Sequence, residues 1–329
     1  MPDTFNAFVI DEIEDHFKSS IKSLPIPDLH EGCVLIDVLY SSLNYKDALS
    51  ASGNKGVSRN FPHTPGIDAS GIVEESQSAS FKKGDEVIVT GYDLGMNTSG
   101  GFSEYIRVPS MWVIKKPENL ELSEAMAYGT AGLTAGLCTR KLLMHGLKPK
   151  DGEVFVTGAT GGVGIVAVML LSKLGFDVVA ISGKEDQRDL LLSLGAKEVI
   201  HRNEFDGEMK SPLQNQRWVG GIDAVGGDIL SNLITQTHQR AAIACCGMVG
   251  GLNLNTSIFP FILRGLSLFG VDSAESLIEV KKEIWSNFAS EWKLEEINDQ
   301  ITDVSLEGLV DEIDKILKGK QVGRIRLKN

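Results

Sequence analysis

The stretch VTGATGGVG, residues 156–164, limits what this chain can fold into more than any other part of it. It follows an apolar run, EVFVTGA, that reads as a strand, and it opens GGVGIVAVMLLSKLG, which reads as a helix. A glycine pattern carries weight in that context and little outside it. Against the G-x-G-x-x-G pattern, Ala159, Gly161 and Gly164 take the three places. A small residue permits the tight turn, the second position lets the main chain approach a pyrophosphate, and the third lets the helix pack on the strand. The helix N-terminus then offers unpaired N–H groups and partial positive charge to an anion. The alternative is a structural turn that holds no ligand.

The surrounding texture agrees with a nucleotide fold. From about Leu122 onward, strand-like and helix-like stretches alternate: DVVAISG, EDQRDLLLSLG, KEVI, GIDAVGG, DILSNLITQT and AAIACCGMVGG. Such alternation predicts an α/β unit, a doubly wound parallel sheet with helices on both faces. LSEAMAYGTAGLTAGLCTRKLLMHG, ahead of the glycine turn, has helical spacing, with Ser123 a plausible cap and Gly146 a plausible stop. Residues 1 to about 120 read differently. FNAFVI, CVLIDVLYSSL, ASGIVEE, DEVIVTGY and FSEYIRV are short strand candidates between Gly and Pro turns, which predicts a barrel-like β domain. A length of 329 residues suits two domains. The expected division is 1–121, completed by about 298–329, and 122–297.

The end of the second strand bears on the nucleotide. Ser182 lies 18 positions after Gly164, where NAD-binding folds carry an acid that accepts from the ribose 2′-OH. Ser182, Gly183 and Lys184 supply a hydroxyl, main-chain amides and a cation instead. These can donate to a 2′-phosphate and neutralise it. Arg202, after the next strand, can reach the same corner. The expected cofactor is therefore NADP(H). The competing reading makes Lys184 a solvated lysine at a helix start.

Composition excludes some classes of partner. A formal charge of −12 argues against nonspecific binding of nucleic acid or an anionic membrane. No run of about 18 apolar residues occurs, and the N-terminus lacks the pattern of a targeting segment. Four cysteines, Cys33, Cys138, Cys245 and Cys246, have no zinc-ligand spacing and read as reduced thiols. The expected location is the cytoplasm. The six histidines are scattered, so no metal is expected.

The two-domain texture, GTAGLTA at 129–135 and LSLGAKEVI at 192–200 resemble the medium-chain dehydrogenase/reductase superfamily. SSLNYKDALSASG at 41–53, NFPHTPGIDASG at 60–71 and PFILRGLSLFGVDS at 260–273 are similar to its zinc-independent, quinone-oxidoreductase-like branch, which includes acrylyl-CoA reductases. The resemblance covers essentially the whole chain. It implies a GroES-like β-barrel domain followed by a Rossmann domain. Where zinc-dependent relatives carry Gly-His-Glu, this chain reads Gly66-Ile67-Asp68. The four-cysteine lobe of those relatives is also missing.

The resemblance implies roles for particular residues. Thr160, Gly161, Gly162 and Val163 form the pyrophosphate loop. Tyr45 contacts the cofactor and stands as a donor to substrate, and Asn44 can offer an amide N–H to a substrate carbonyl; the alternative is that Asn44 and Tyr45 only close the strand–helix junction. Asp47 orients its neighbours, since an ionised carboxylate would oppose an enolate. Gly247, Leu252, Ile258 and Ser273 lie toward the nicotinamide half, and Arg324 belongs to a C-terminal segment that returns to the same site. For Leu252, Ile258 and Ser273, plain packing is the alternative. The apolar edge in FPFILRGLSLFGV suggests a homodimer, because an exposed edge strand is a hazard.

Three functions follow as expectations. The first is NADPH-dependent reduction of an activated C=C, with acrylyl-CoA giving propionyl-CoA. The second is reduction of quinones or general enones by the same apparatus. The third is a non-enzymatic NADPH-binding sensor. A CoA substrate needs a groove for its phosphates, for which Lys55, Arg59, Arg140 and Arg264 are loose candidates that form no sequence cluster.

Overall fold

A computed structural model describes residues 2–14 and 16–329. Its contacts divide the chain into two compact units, one of residues 1–130 with 273–329 and one of 131–272. The chain thus returns to the first unit at Ser273, ahead of the expected 298. The reason lies in the helix Ile278–Phe288, whose Trp285 and Phe288 are buried against Tyr128 of the first unit. Phe288 stacks on that ring at 4.2 Å between centroids.

The second unit is built on six parallel strands. Their order is Glu198–His201, Asp177–Ser182, Glu153–Thr157, Trp218–Asp223, Thr237–Cys245 and Ser267–Gly270. The central strands are apolar along their length because parallel sheets are covered on both faces. Val154, Phe155, Val156, Val178, Val179, Ala180 and Ile181 are all buried. Order reverses between Glu153–Thr157 and its neighbours, so the carboxyl ends of the first strands form a switch point where ligands bind in such sheets. The fourth strand of the sequence pattern begins at Trp218, earlier than GIDAVGG suggests. Trp218 is fully buried against Phe155 and Phe205.

The first unit carries seven strands in one sheet and a separate hairpin, Thr4–Ile13 with His16–Pro25. The long strand Cys33–Leu43 organises it. It pairs antiparallel with Asp68–Ser76, with Tyr105–Pro109 and with the C-terminal strand Arg324–Lys328. Register shifts at Leu35/Ile36 and Val38/Tyr40 bend the strand so that it serves three partners. The pairing of Leu43 with Ile325 delivers Arg324 to the end of the strand that leads into Asn44 and Tyr45.

Candidate active site

In the second unit, the strand Glu153–Thr157 passes through Gly158–Gly161 into the helix Gly162–Lys173. A side chain on Gly164 would lie 2.2 Å from the Gly158 carbonyl oxygen, so only glycine lets the helix come this close to the turn. Thr160 is buried, while Gly161, Gly162 and Val163 are half-buried with their N–H groups at the start of the helix. The turn rests on a polar floor. Thr157 Oγ1 donates to Asp223 Oδ1 at 2.7 Å and accepts from the Ala224 N–H at 2.9 Å. Asp223 Oδ2 accepts from the Gly226 N–H at 2.8 Å. Burial pushes the Asp223 carboxyl up. Cys245 rises to about 12, first through burial and then through the charge of Asp223. The Cys245 thiol stays protonated.

At the next strand end, Ser182 is buried and its Oγ accepts from the Lys184 N–H at 3.1 Å, which leaves its own O–H to donate elsewhere. Arg202 lies over Gly183, in the space a side chain there would need: a Cβ would meet Arg202 Nε at 2.6 Å. A pocket of about 360 Å³ opens beside them, lined by Ser182, Lys184, Arg188, His201, Glu185 and Glu204 among others. Burial lowers the Lys184 ammonium pKa and nearby Asp186 works against that shift. Arg188 is a cation that the sequence did not single out. Its place one helical turn after Lys184 is the signal that could have found it. The cradle, the hydroxyl and the cations together fit a dinucleotide with a 2′-phosphate.

Gly247 is half-buried after the strand Thr237–Cys245. Leu252 and Ile258 are 83% and 61% exposed, so packing within this unit does not explain them. Ser273 is half-buried in the first unit. Its neighbour Ala274 is pinned: the Ala274 carbonyl accepts from the Tyr92 N–H at 3.0 Å and from Lys281 Nζ at 2.8 Å.

The first unit holds a buried ionic cluster around Asp68. Its carboxylate accepts from Ser42 Oγ at 2.5 Å, from Asn44 Nδ2 at 2.7 Å, and from both the N–H and the hydroxyl of Thr130 at 2.8 and 2.5 Å. Arg324, 3% exposed, donates to Ser42 Oγ at 2.9 Å and to the Ala127 carbonyl at 3.2 Å. Burial pulls the Arg324 pKa down, and Asp68 and Asp47 counter it. The helix Leu122–His145 breaks at Gly129, where φ is +52°. A Cβ there would lie within 2.3 to 2.7 Å of Ser42 Oγ, Arg324 Nη2 and Asp68 Oδ2. Gly129 therefore allows Thr130 to reach the carboxylate.

Asn44 and Asp47 join this cluster. Asp47 accepts from the Asn44 N–H at 2.8 Å, which caps the helix Tyr45–Ala51, and from the Ile67 N–H at 2.8 Å. The amide N–H of Asn44, expected to meet a substrate carbonyl, is instead committed to Asp68, Asp47 and the Ser42 carbonyl. Tyr45 alone of this segment's expected groups faces outward, at 42% exposed. Among the described residues, no group of three or more His, Cys, Asp or Glu is placed to hold a metal ion, and no helix is long and apolar enough to cross a membrane.

A β-rich unit completed by the C-terminus, with a glycine-cradled parallel sheet, defines the medium-chain dehydrogenase/reductase class. The comparisons agree. Residues 30–118 match the alcohol dehydrogenase GroES-like domain and residues 162–290 match the zinc-binding dehydrogenase family. The chain is 41% identical to the putative quinone oxidoreductase YhfP of Bacillus subtilis, with all of both chains covered. It is 39% identical to the acrylyl-CoA reductase AcuI of Ruegeria pomeroyi over 98% of each chain. Among solved structures, the yhdH oxidoreductase of Salmonella enterica in complex with NADP has a TM-score of 0.95 at 39% identity, covering 98% of this chain and 99% of that one. Bacillus subtilis yhfP with NAD bound has a TM-score of 0.96 at 40% identity, with both chains fully covered. The chain belongs to the zinc-independent branch of the medium-chain dehydrogenase/reductase superfamily that holds these quinone oxidoreductases and acrylyl-CoA reductases.

The cluster generates a pH prediction. Burial, then the charge of Asp68, raises the Asp47 pKa from 3.8 to about 7. The folded state thus retains a proton that the unfolded chain releases. Stability from this group is full below the unfolded value and is lost as pH rises toward about 7. Thermal melts of Asp47→Asn should lose less between about pH 5 and about pH 8 than the parent does. Equal losses would place the proton elsewhere.

Proposed function

We propose that this protein is an NADPH-dependent reductase of an activated C=C bond, with acrylyl-CoA as substrate and propionyl-CoA as product. The observation that carries the reading is similarity to an acrylyl-CoA reductase over 98% of the chain. NADPH, when bound, supplies the hydride that adds to the β-carbon of the alkene. Thr160, Gly161, Gly162 and Val163 hold the pyrophosphate at the helix start, and Ser182, Gly183, Lys184 and Arg202, with Arg188, hold the 2′-phosphate. Gly247, Leu252, Ile258 and Ser273 serve the nicotinamide half.

The remaining chemistry belongs to the substrate and the first unit. As the β-carbon gains hydride, the alkene electrons move onto the thioester oxygen, and the α-carbon then takes a proton, for which water suffices. Tyr45 is the exposed donor suited to that oxygen. Asn44 and Asp47 are positioning residues: their groups fix the start of the Tyr45 helix. Arg324 acts in the same way, holding Ser42 and the carbonyl of Ala127. Four unpaired cysteines suit a reducing compartment, the cytoplasm.

A homodimer is part of this reading. The strand Ser267–Gly270 ends its sheet, and Phe259, Ile262 and Leu263 on the preceding helix are exposed. A second copy across this edge would cover them.

The second reading, reduction of quinones or other enones, is favoured by the 41% identity to a putative quinone oxidoreductase. NADPH oxidation by the purified protein, with acrylyl-CoA beside 1,4-benzoquinone, separates the two. High kcat/KM with acrylyl-CoA supports the first reading, and turnover of quinone alone supports the second. Tight NADPH binding with no turnover of either would make the protein a sensor. In the same assay Tyr45→Phe should lower kcat; an unchanged kcat removes the hydroxyl from the reaction.

Cofactor choice has its own test. Lys184→Glu should raise the KM for NADPH by one to two orders of magnitude, from the loss of roughly 1.5–3 kcal/mol of charge-assisted bonding. The kcat should stay near that of the parent, because the contact is remote from the reacting carbon. An unaltered preference for NADPH over NADH would remove Lys184 from the phosphate site.

A further inference from the structure

Two of the cations that the sequence offered for the CoA end already have partners. Arg264 donates to the main-chain carbonyls of Gln214, Thr235 and Thr237, so its guanidinium is tied into the second unit. Lys55 pairs with Glu12 at 2.6 Å and lies over the rings of Phe17 and Phe61. A different place has the required chemistry. A groove of about 680 Å³ opens on the first unit, between the segment around Ser110–Lys115 and the helix Ile278–Phe288.

We propose that this groove seats the 3′-phospho-ADP end of a CoA thioester. The proposal rests on the enoyl-CoA reading given above and names the part of the first unit that reads the CoA. Its walls offer the two kinds of contact such a group needs. Phe81 and Met111 supply apolar faces for an adenine, and Met111 is 73% exposed. Lys115 and Lys282 supply charge, with the hydroxyls of Ser110 and Ser286 beside them. The volume lies within the range of roughly 300–1,000 Å³ common for small-molecule sites.

Both lysines have carboxylate partners. Lys115 pairs with Asp85 at 2.9 Å and Lys282 with Glu279 at 2.8 Å. The lysine side chains are 58% and 47% exposed, and exposed pairs of this kind hold weakly. A phosphate of higher charge can draw both ammonium groups away from their partners.

The wall of the groove runs on to Tyr92 and Ala274 in the same unit. Trp112, between two lining residues, stacks on Tyr92 with centroids 5.6 Å apart. Lys281, beside Lys282, is buried and lies 3.4 Å from the centre of the Tyr92 ring. Its Nζ also bonds the carbonyls of Thr90 and Ala274. The back of the groove is thus continuous with Ala274, next to Ser273. A quinone has no group for such a groove, whereas a CoA thioester carries its phosphates at the far end of a long pantetheine arm.

The test uses the full chain loaded with NADPH and the double variant Lys115→Glu/Lys282→Glu. Calorimetry with CoA itself should show binding to the parent and at least a tenfold loss in the variant. In turnover, the KM for acrylyl-CoA should rise about tenfold or more while kcat changes less than twofold. The defect should be absent with acrylyl-N-acetylcysteamine, which carries the thioester and no phosphate. A parent that does not bind CoA, or a variant that binds it equally well, overturns the proposal. Lysine-dependent CoA binding in a protein that reduces only quinones would instead leave the groove standing and remove acrylyl-CoA as the substrate.

Discussion

The carboxylate of Asp68 is the constraint on which the first unit depends. It is fully buried, and a buried charge is tolerated only when it is paired and saturated with donors. Its donors come from separate parts of the chain: Ser42 at the end of one strand, Asn44 at the head of a helix, and Thr130 after a helix break. Its counter-charge, Arg324, opens the last strand. The C-terminal strand therefore does more than finish a sheet. It brings in a cation that offsets the buried carboxylate, and the same cation holds Ser42 and the carbonyl of Ala127 in place.

The second unit solves a related problem differently. Asp223 is also buried, yet it has no arginine. Main-chain N–H groups and the Thr157 hydroxyl satisfy it, and burial raises its pKa. Burial first, and then the charge of Asp223, keeps the neighbouring Cys245 in the thiol form. That matters in a protein proposed to handle electrophilic alkenes, because the thiolate is the form that adds to them. One carboxylate thus anchors the strand ends below the glycine turn and adds to the burial that keeps an adjacent sulfur inert.

How much of this was legible in the sequence depended on whether the signal was local. The strand Cys33–Leu43 was readable to its ends, and the glycine turn was placed with its helix, because period and turn chemistry lie within a few residues. The strand His16–Pro25 was missed because HFKSSIKSLP is mostly exposed or half-buried and shows little apolar alternation. The Asp68 cluster was invisible for another reason. Its members at 42, 44, 47, 68, 130 and 324 share no spacing, and only the fold brings them together. Asn44 shows the cost of reading locally: beside Tyr45 it looks like a substrate donor, yet its N–H groups are already taken by two aspartates and a carbonyl.

The nucleotide corner shows how a local reading can survive contrary charges. Of three solved relatives at about 40% identity, two hold NADP or NADPH and one holds NAD, so ancestry favours NADP(H) and the site can be asked for the reason. The pocket itself contains Glu185 and Glu204 as well as cations. What separates the two cofactors is the group at the strand tip, where an acid accepts from a free ribose hydroxyl and repels a phosphate. Here the tip is Ser182, whose Oγ already accepts from Lys184 and whose proton is left to donate. Glu185 falls beyond the tip, in the short helix Glu185–Gln187. Arg202 lies directly on Gly183, so the main chain at the tip is backed by a permanent cation. A ribose hydroxyl placed there would find no carboxylate at the tip, whereas a phosphate would find a hydroxyl donor and a guanidinium.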